Sequence, residues 1–272
     1  MKVYYLKLFN PAQGLCNILN SLFSTIIQCI EKGINYIIID KFLRQVHTLG
    51  CAPISVIFNL PKFNNLLRPY NITIVDGLAI SAAIPTKFIN PPPWAYLTKR
   101  EDIFNLLVNN LCFSSNFTNI ADNFTKNIPP DTRINVLHLR LENDGIQHWS
   151  KMNKMSPDIF SSNLINKYTN LIETYFDKND VIIILSYDLN NKVIEYLKSN
   201  NYNFIFREKN KKKQEREIDA IIDLLIGRKC NNVFIGAGGS TFSHILSKGL
   251  KNKTSIMLHL NSINNPTKII QH

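Results

Sequence analysis

The stretch VFIGAGGSTFSHIL, residues 233–246, changes its period halfway along. It opens as a short apolar run that reads as a buried strand and closes at helical spacing. Between the two lies Gly236-Ala237-Gly238-Gly239-Ser240-Thr241, a turn with almost no side-chain bulk. A strand that feeds a helix through such a turn is half of a parallel βαβ unit. The turn presents backbone N–H groups and the positive end of a helix dipole, which is an anion site when a ligand lies there. Ser240 and Thr241 either cap the helix or offer hydroxyls to a phosphate, and a tight turn with an ordinary cap is the plainer alternative. The spacing fits G-x-G-x-x-G only as far as Thr241, and no Gly-Lys-Ser/Thr is present, so neither common phosphate loop applies.

The same alternation extends in both directions. Strands are expected at 3–9, 34–40, 134–141, 180–187, 203–206, 232–236 and 254–258. Helices are expected at 17–33, 157–176, 189–200, 214–228 and 240–249. A less regular region lies between, with β-like runs at 72–75 and 80–84 and helical segments near 99–111 and 117–127. Apolar strands alternating with amphipathic helices indicate parallel sheets covered on both faces. The pattern opens twice, at residue 1 and near residue 134, with Pro129-Pro130 before the second opening. The expected fold class is therefore α/β, with two Rossmann-like domains, 1–130 and 131–272, facing a central cleft.

Composition narrows the function. The chain has 272 residues, 45% of them hydrophobic, and a formal net charge of +11. No apolar run reaches the roughly 18 residues of a spanning helix, and the first residues lack the apolar core of a secretion signal. The five cysteines are odd in number and form no CxxC pair, which fits free thiols in a reducing compartment. A cytoplasmic setting is the expectation. The heavy use of Asn, Ile and Lys points to an AT-rich genome such as that of a large DNA virus, whose host cytoplasm would then be the setting. The densest basic run, REKNKKKQERE at 207–217, reads as a solvated loop and helix start. Basic charge spread over the rest suits an anionic partner. Zinc-finger spacing, an RNP-type aromatic motif and heptads beside a basic helix are all missing, so no nucleic acid is expected as a partner.

Two further strand ends carry chemistry. Alternation places His138, Arg140 and Glu142 on one strand face, with Asp144 just beyond. Arg140 at a ligand-facing strand end either meets an anion, for which its guanidinium fork suits a diphosphate, or pairs with Glu142 or Asp144. In Gln13-Gly14-Leu15-Cys16-Asn17, Gly14 permits a tight turn, while Asn17 either caps the next helix or offers its amide to a ligand.

Together these stretches resemble the fucosyltransferase superfamily that contains the protein O-fucosyltransferases and the α1,6-fucosyltransferases. Gly14-Leu15-Cys16-Asn17 is similar to that family's Gly-x-x-Asn turn, and His138-Leu139-Arg140 with Glu142 and Asp144 to its His-x-Arg strand end. Ser186-Tyr187-Asp188 resembles its Thr-Asp strand end. Asp223, the following strand and Ser240-Thr241-Phe242-Ser243 resemble its helix Asp and Ser-Ser/Thr-Phe turn. The resemblance implies a GT-B fold whose second domain holds a nucleotide-sugar donor, GDP-fucose first among them, with rhamnose or xylose donors as alternatives. It implies inverting transfer to a hydroxyl of a glycan or glycoprotein. A non-catalytic nucleotide- or glycan-binding module is the alternative of a different class.

The donor-side residues would be Gly14, Asn17, His138, Arg140, Asp188, Asp223, Gly239, Ser240, Thr241 and Phe242. No Asp stands two places from another, so the Asp-x-Asp metal motif is missing and no metal or other cofactor is expected. Arg140 and the helix start at Ser240-Thr241 would neutralise the departing diphosphate. Asp223 suits guanine, and Asp188 the base or ribose; structural capping or surface exposure is the alternative for either. For the general base the candidates are Glu142, Asp144 and Asp40, or else a donor reactive enough to need little base. Trp94 or Tyr96, beside Pro91-Pro92-Pro93, would stack on an acceptor sugar or merely pack their loop.

Overall fold

The structure is a computed structural model that describes residues 3–6, 13–39, 41–45, 50–77, 94–209, 216–251 and 253–271. Asp40, the β-like run at 80–84 and Pro91-Pro92-Pro93 lie outside the described residues. Two compact units form, residues 1–121 with 210–222, and residues 122–209 with 223–272.

The first unit begins with β1 (Val3–Leu6), α1 (Leu15–Lys32) and β2 (Tyr36–Ile39). A hairpin of β3 (Leu43–Gln45) and β4 (Gly50–Ala52) follows, then α2 (Ile54–Ile57), α3 (Leu60–Leu67) and β5 (Thr73–Asp76). Helices α4 (Ala95–Lys99), α5 (Glu101–Asn109) and α6 (Ser115–Thr125) complete it. Strands β1, β2 and β5 pair in that order, all parallel. Ile37, Ile38 and Ile39 are all buried, as a strand covered on both faces requires. Helix α1 ends because Gly33 adopts a left-handed φ of 61° and turns its N–H back onto the last carbonyls.

The second unit runs β6 (Ile134–His138), α7 (Asn143–Met152), α8 (Pro157–Tyr175), β7 (Val181–Leu185), α9 (Lys192–Ser199) and β8 (Phe204–Phe206). Helix α10 (Arg216–Gly227) gives residues 216–222 to the first unit and the rest to the second, which continues with β9 (Val233–Gly238), α11 (Thr241–Lys248), β10 (Thr254–His259) and β11 (Lys268–Gln271). The described strands form one sheet in the order β11-β10-β9-β6-β7-β8, parallel throughout except for β11. Helix α8 lays Phe160, Leu164, Tyr168 and Ile172 on one stripe, a spacing of four that keeps them on one helix face. They pack against Leu137, Ile182, Ile184, Ile235 and Ile256 of the sheet. Each such side chain, fully buried, contributes roughly 1.5–3 kcal/mol.

The expected alternation holds, with two differences near β6. The strand ends at His138 and not at 141, because helix α7 starts at Asn143 with an extended Glu142 as its N-cap. Helix α7 escapes the periodicity because NDGIQHWSKM offers only Ile146, Trp149 and Met152 as large apolar residues, and Met152 is exposed. Among the described residues no helix is long and apolar enough to cross a membrane.

Candidate functional site

In a parallel sheet the carboxyl ends of the strands share one edge, where ligands sit. In the second unit that edge carries His138, Ser186, Phe206 and Gly238 or the residues just after them. His138 is buried, and its Nδ1 lies 2.6 Å from the Ser243 Oγ. That oxygen also accepts the Ala237 N–H at 2.9 Å, so the serine's own proton is free to go to Nδ1 and the imidazole keeps its proton on Nε2. The Phe242 ring covers His138 at 4.7 Å between centroids, and the Tyr168 hydroxyl donates to the His138 carbonyl at 3.0 Å. Burial above all, then Arg140 and Lys209, pushes the imidazole down to a pKa of about 3. His138 is thus a neutral residue tying β6 to the β9–α11 turn. Ser243, which makes that tie, stood in the sequence pattern without a role of its own.

Arg140 follows two residues later, beyond the strand. Its guanidinium donates to Glu142 at 3.0 Å and to Asp144 at 3.4 Å. The other Glu142 oxygen accepts the Tyr187 N–H at 3.3 Å. Both Glu142 oxygens are engaged, so this carboxylate holds Arg140 and the β7 end and is poorly placed as a free base. Asp144 is largely exposed.

Asp223, on α10, is buried and takes two cations. Arg207 lies 3.1 Å from one oxygen and Lys209 lies 2.5 Å from the other. Lys209 also donates to the Ser186 carbonyl at 2.6 Å and sits 5.9 Å from the centre of the Tyr187 ring. Both cations belong to the run expected to be a solvated loop. That reading fails for its first residues, because a buried carboxylate is tolerated only with countercharges beside it. Helical capping, the alternative weighed for Asp223, is not its role. Asp188 does hold a turn: its Oδ1 accepts the Asn190 N–H at 2.9 Å.

The glycine turn is tightened mainly by its own sheet. A Cβ on Gly236 would stand 2.5 Å from the Phe234 ring, and one on Gly238 would stand 2.5 Å from the Leu258 carbonyl oxygen. Gly239 has a φ of +90°, and a Cβ there would reach the Asn261 amide oxygen and the Trp149 ring, each at 3.2 Å. Ser240 is the N-cap of α11, but its hydroxyl makes no capping bond to that helix. Thr241 and Phe242 are half-buried in its first turn.

At the corresponding edge of the first unit, Gly14 is the N-cap of α1, and Asn17 lies inside the helix. Asn17 therefore does not cap it, as one alternative had it; the helix begins two residues earlier. Its Oδ1 is buried with no hydrogen-bond partner among the described residues. The Leu15 N–H is met instead by the carboxylate of Glu217, from the first turn of α10. Nothing in the local sequence around Gly14 signals this partner. Trp94 is exposed, with its indole N–H 3.4 Å from the Ser21 hydroxyl on α1, and Tyr96 has the Lys99 ammonium 4.5 Å from its ring centre. Cys16, Cys29, Cys112 and Cys230 are free and buried.

No family model matches the chain, and no curated protein matches it. Solved structures do. The fucosyltransferase NodZ from Bradyrhizobium is 13% identical with a TM-score of 0.65, covering 100% of both chains. POFUT1 in complex with GDP-fucose is 12% identical with a TM-score of 0.61, over 91% of this chain and 94% of that one. POFUT1 in complex with GDP gives 11% and 0.59 over the same shares. At such identities the likeness speaks for the fold, and the chain has the α/β GT-B fold of these fucosyltransferases.

Proposed function

We propose that this protein is a metal-independent, inverting glycosyltransferase that moves L-fucose from GDP-fucose to a hydroxyl of a glycan or glycoprotein, with the donor held by the second unit. The observation that carries the reading is the company at one sheet edge. Arg140, the Arg207–Asp223–Lys209 group, neutral His138 and the start of α11, where the Ser240 hydroxyl makes no capping bond, all stand where a parallel sheet takes its ligand. The fold shared with proteins solved with GDP and GDP-fucose supports the same donor.

Each group has a task in that reading. As the bond between the sugar and the diphosphate breaks, charge grows on the leaving oxygens, and Arg140 with the positive end of α11 at Ser240-Thr241 receives it. A carboxylate has about four lone-pair positions, so Asp223 can hold two cations and still accept from the N1–H and amino group of guanine. Asp188 is assigned to the ribose, and Trp94 or Tyr96 to an acceptor sugar.

Thermal-shift measurements with GDP, UDP, dTDP and CMP in EDTA test the donor. GDP at 100 times its dissociation constant should stabilise the protein by about 2.7 kcal/mol. GDP release from GDP-fucose with a panel of oligosaccharides then tests transfer. A preference for another nucleotide, or strict need for a divalent metal, would overturn the donor assignment. Tight GDP binding without turnover would leave a binding module.

A further inference from the structure

We propose that the first unit carries a binding site of its own, for a saccharide bearing a carboxylate, in a cavity at the amino edge of its sheet. The site goes beyond the transferase reading and stands or falls without it. Tyr36 and Thr73 open β2 and β5, face each other in register, and both line a cavity of about 570 Å³. All its lining residues belong to this unit. They lie at the end of the sheet opposite the carboxyl edge, about 10 Å away along a four-residue strand. The volume falls within the roughly 300–1,000 Å³ of small-ligand sites, which are mostly apolar. Here the lining is polar, and its chemistry names the ligand.

The walls are tied together by asparagines. Pro61, Asn64, Asn65 and Arg68 recur at helical spacing along α3 and the 3-10 turn Arg68–Tyr70, so one face of that segment makes one wall. Asn64 fixes this wall to the sheet: its amide donates to the Ile74 carbonyl at 2.9 Å and accepts the Ile74 N–H at 2.8 Å. On the facing side, the Asn35 amide donates to the Asn71 carbonyl at 3.3 Å, and the Asn35 carbonyl accepts the Thr73 N–H at 2.8 Å. Asn71 stands at a left-handed φ of 55°, which asparagine adopts more readily than most residues. A frame held at these points loses little freedom when a ligand enters.

Polar groups are left over around that frame. The side chains of Tyr36, Asn65, Arg68, Asn71 and Thr73 make no hydrogen bond or ion pair among the described residues. Amides and hydroxyls both give and accept hydrogen bonds, as the hydroxyls of a sugar ring require. Half-buried Tyr36 adds an aromatic ring suited to a sugar's apolar face. Arg68 is exposed, and none of the described lining residues is acidic, so its guanidinium fork is open to a carboxylate. A diphosphate would meet a single cation here, and an apolar ligand would leave the amides unpaired.

Binding to an oligosaccharide array at about 0.15 M salt tests the site. The array carries uronate-bearing chains, their neutral counterparts and poly-L-glutamate. No donor is added, so a protein without transferase activity is tested equally well. We expect a uronate-bearing chain to bind about tenfold more tightly than its neutral counterpart. Arg68→Gln should abolish that preference at an unchanged melting temperature. Asn71→Gly keeps the left-handed backbone and deletes the amide, and should weaken both chains. Lys198→Gln removes the same charge from an exposed position in the second unit and should leave the preference intact. Saturating GDP should displace nothing. Equal losses in Arg68→Gln and Lys198→Gln would show attraction to the net charge alone and overturn the site. So would displacement by GDP, poly-L-glutamate bound as tightly as the saccharide, or no uronate-bearing chain bound at all.

Discussion

Gly238 shows how a sequence feature can be real and its first explanation incomplete. The bare turn at 236–241 invites a ligand, yet the nearest claimant to the space at Gly238 is the Leu258 carbonyl of β10, a backbone atom that cannot step aside. Gly238→Ala should cost about 1–3 kcal/mol with or without nucleotide, read by urea unfolding. A stability loss below about 0.5 kcal/mol would show that β10 yields there. Gly239 is a poor probe of phosphate approach, since any side chain at a φ of +90° is strained whether or not a ligand comes near. Arg140 is the better one. It is paired with Glu142 and Asp144, the ion-pair alternative, and this does not compete with a catalytic role, because carboxylates behind a guanidinium hold it in position. Arg140→Ala should weaken GDP binding by about 1.5–3 kcal/mol and reduce turnover by more, since charge builds on the diphosphate only as it leaves. Adding Glu142→Gln should recover melting temperature but not turnover. If the double variant recovers both, Arg140 is structural.

At the scale of elements, β6 and the β9–α11 turn are joined through one hydroxyl. Ser243→Ala would leave the Ala237 N–H and His138 Nδ1 without their partner, at a cost of about 1–3 kcal/mol each, measurable as a drop in unfolding free energy. The histidine also makes a pH prediction. Its folded pKa, about 3, lies below the ordinary 6.5, so between those values the unfolded chain binds a proton that the folded one refuses. Stability should therefore be fully present above pH 6.5 and fall as pH drops toward 5, by up to about 1.4 kcal/mol per unit. His138→Gln should flatten that slope, and an unchanged slope would assign it to other groups. These elements mark what the sequence can and cannot carry. Strands of Ile and Val and the four-residue stripe of α8 announce themselves, because burial dictates their period. Helix α7 does not, as its buried face holds Gly145 and Ser150 beside Ile146 and so shows too few apolar residues to set a period. Asp223 is legible as a helix Asp, but Arg207 and Lys209 look like solvent charges until the fold brings a buried carboxylate to them. Glu217 is hidden for the same reason: its partner at Leu15 is separated by most of the chain.

For the whole molecule, helix α10 is the decisive piece. The chain changes unit after residues 121, 209 and 222, so α10 gives its first half to one unit and the rest to the other. Read from periodicity alone, the second domain begins at 131, as though each half were continuous. Cutting there would strand residues 216–222, including Ile221 and Ile222, which are 0% and 4% exposed in the intact chain. Uncovering the two would remove roughly 3–6 kcal/mol at 1.5–3 kcal/mol per side chain, a large share of the 5–15 kcal/mol that domains usually possess. It would also free Glu217 from the Leu15 N–H. The fragment 131–272 should therefore fail to give a soluble, cooperatively folded protein. The full chain should melt in a single calorimetric transition, because neither unit can lose α10 without the other. GDP should move that transition as a whole, even though the donor is assigned to the second unit. Scanning calorimetry with and without GDP decides it: two resolved transitions, with only one moved by nucleotide, would mean that α10 couples the units too weakly to matter.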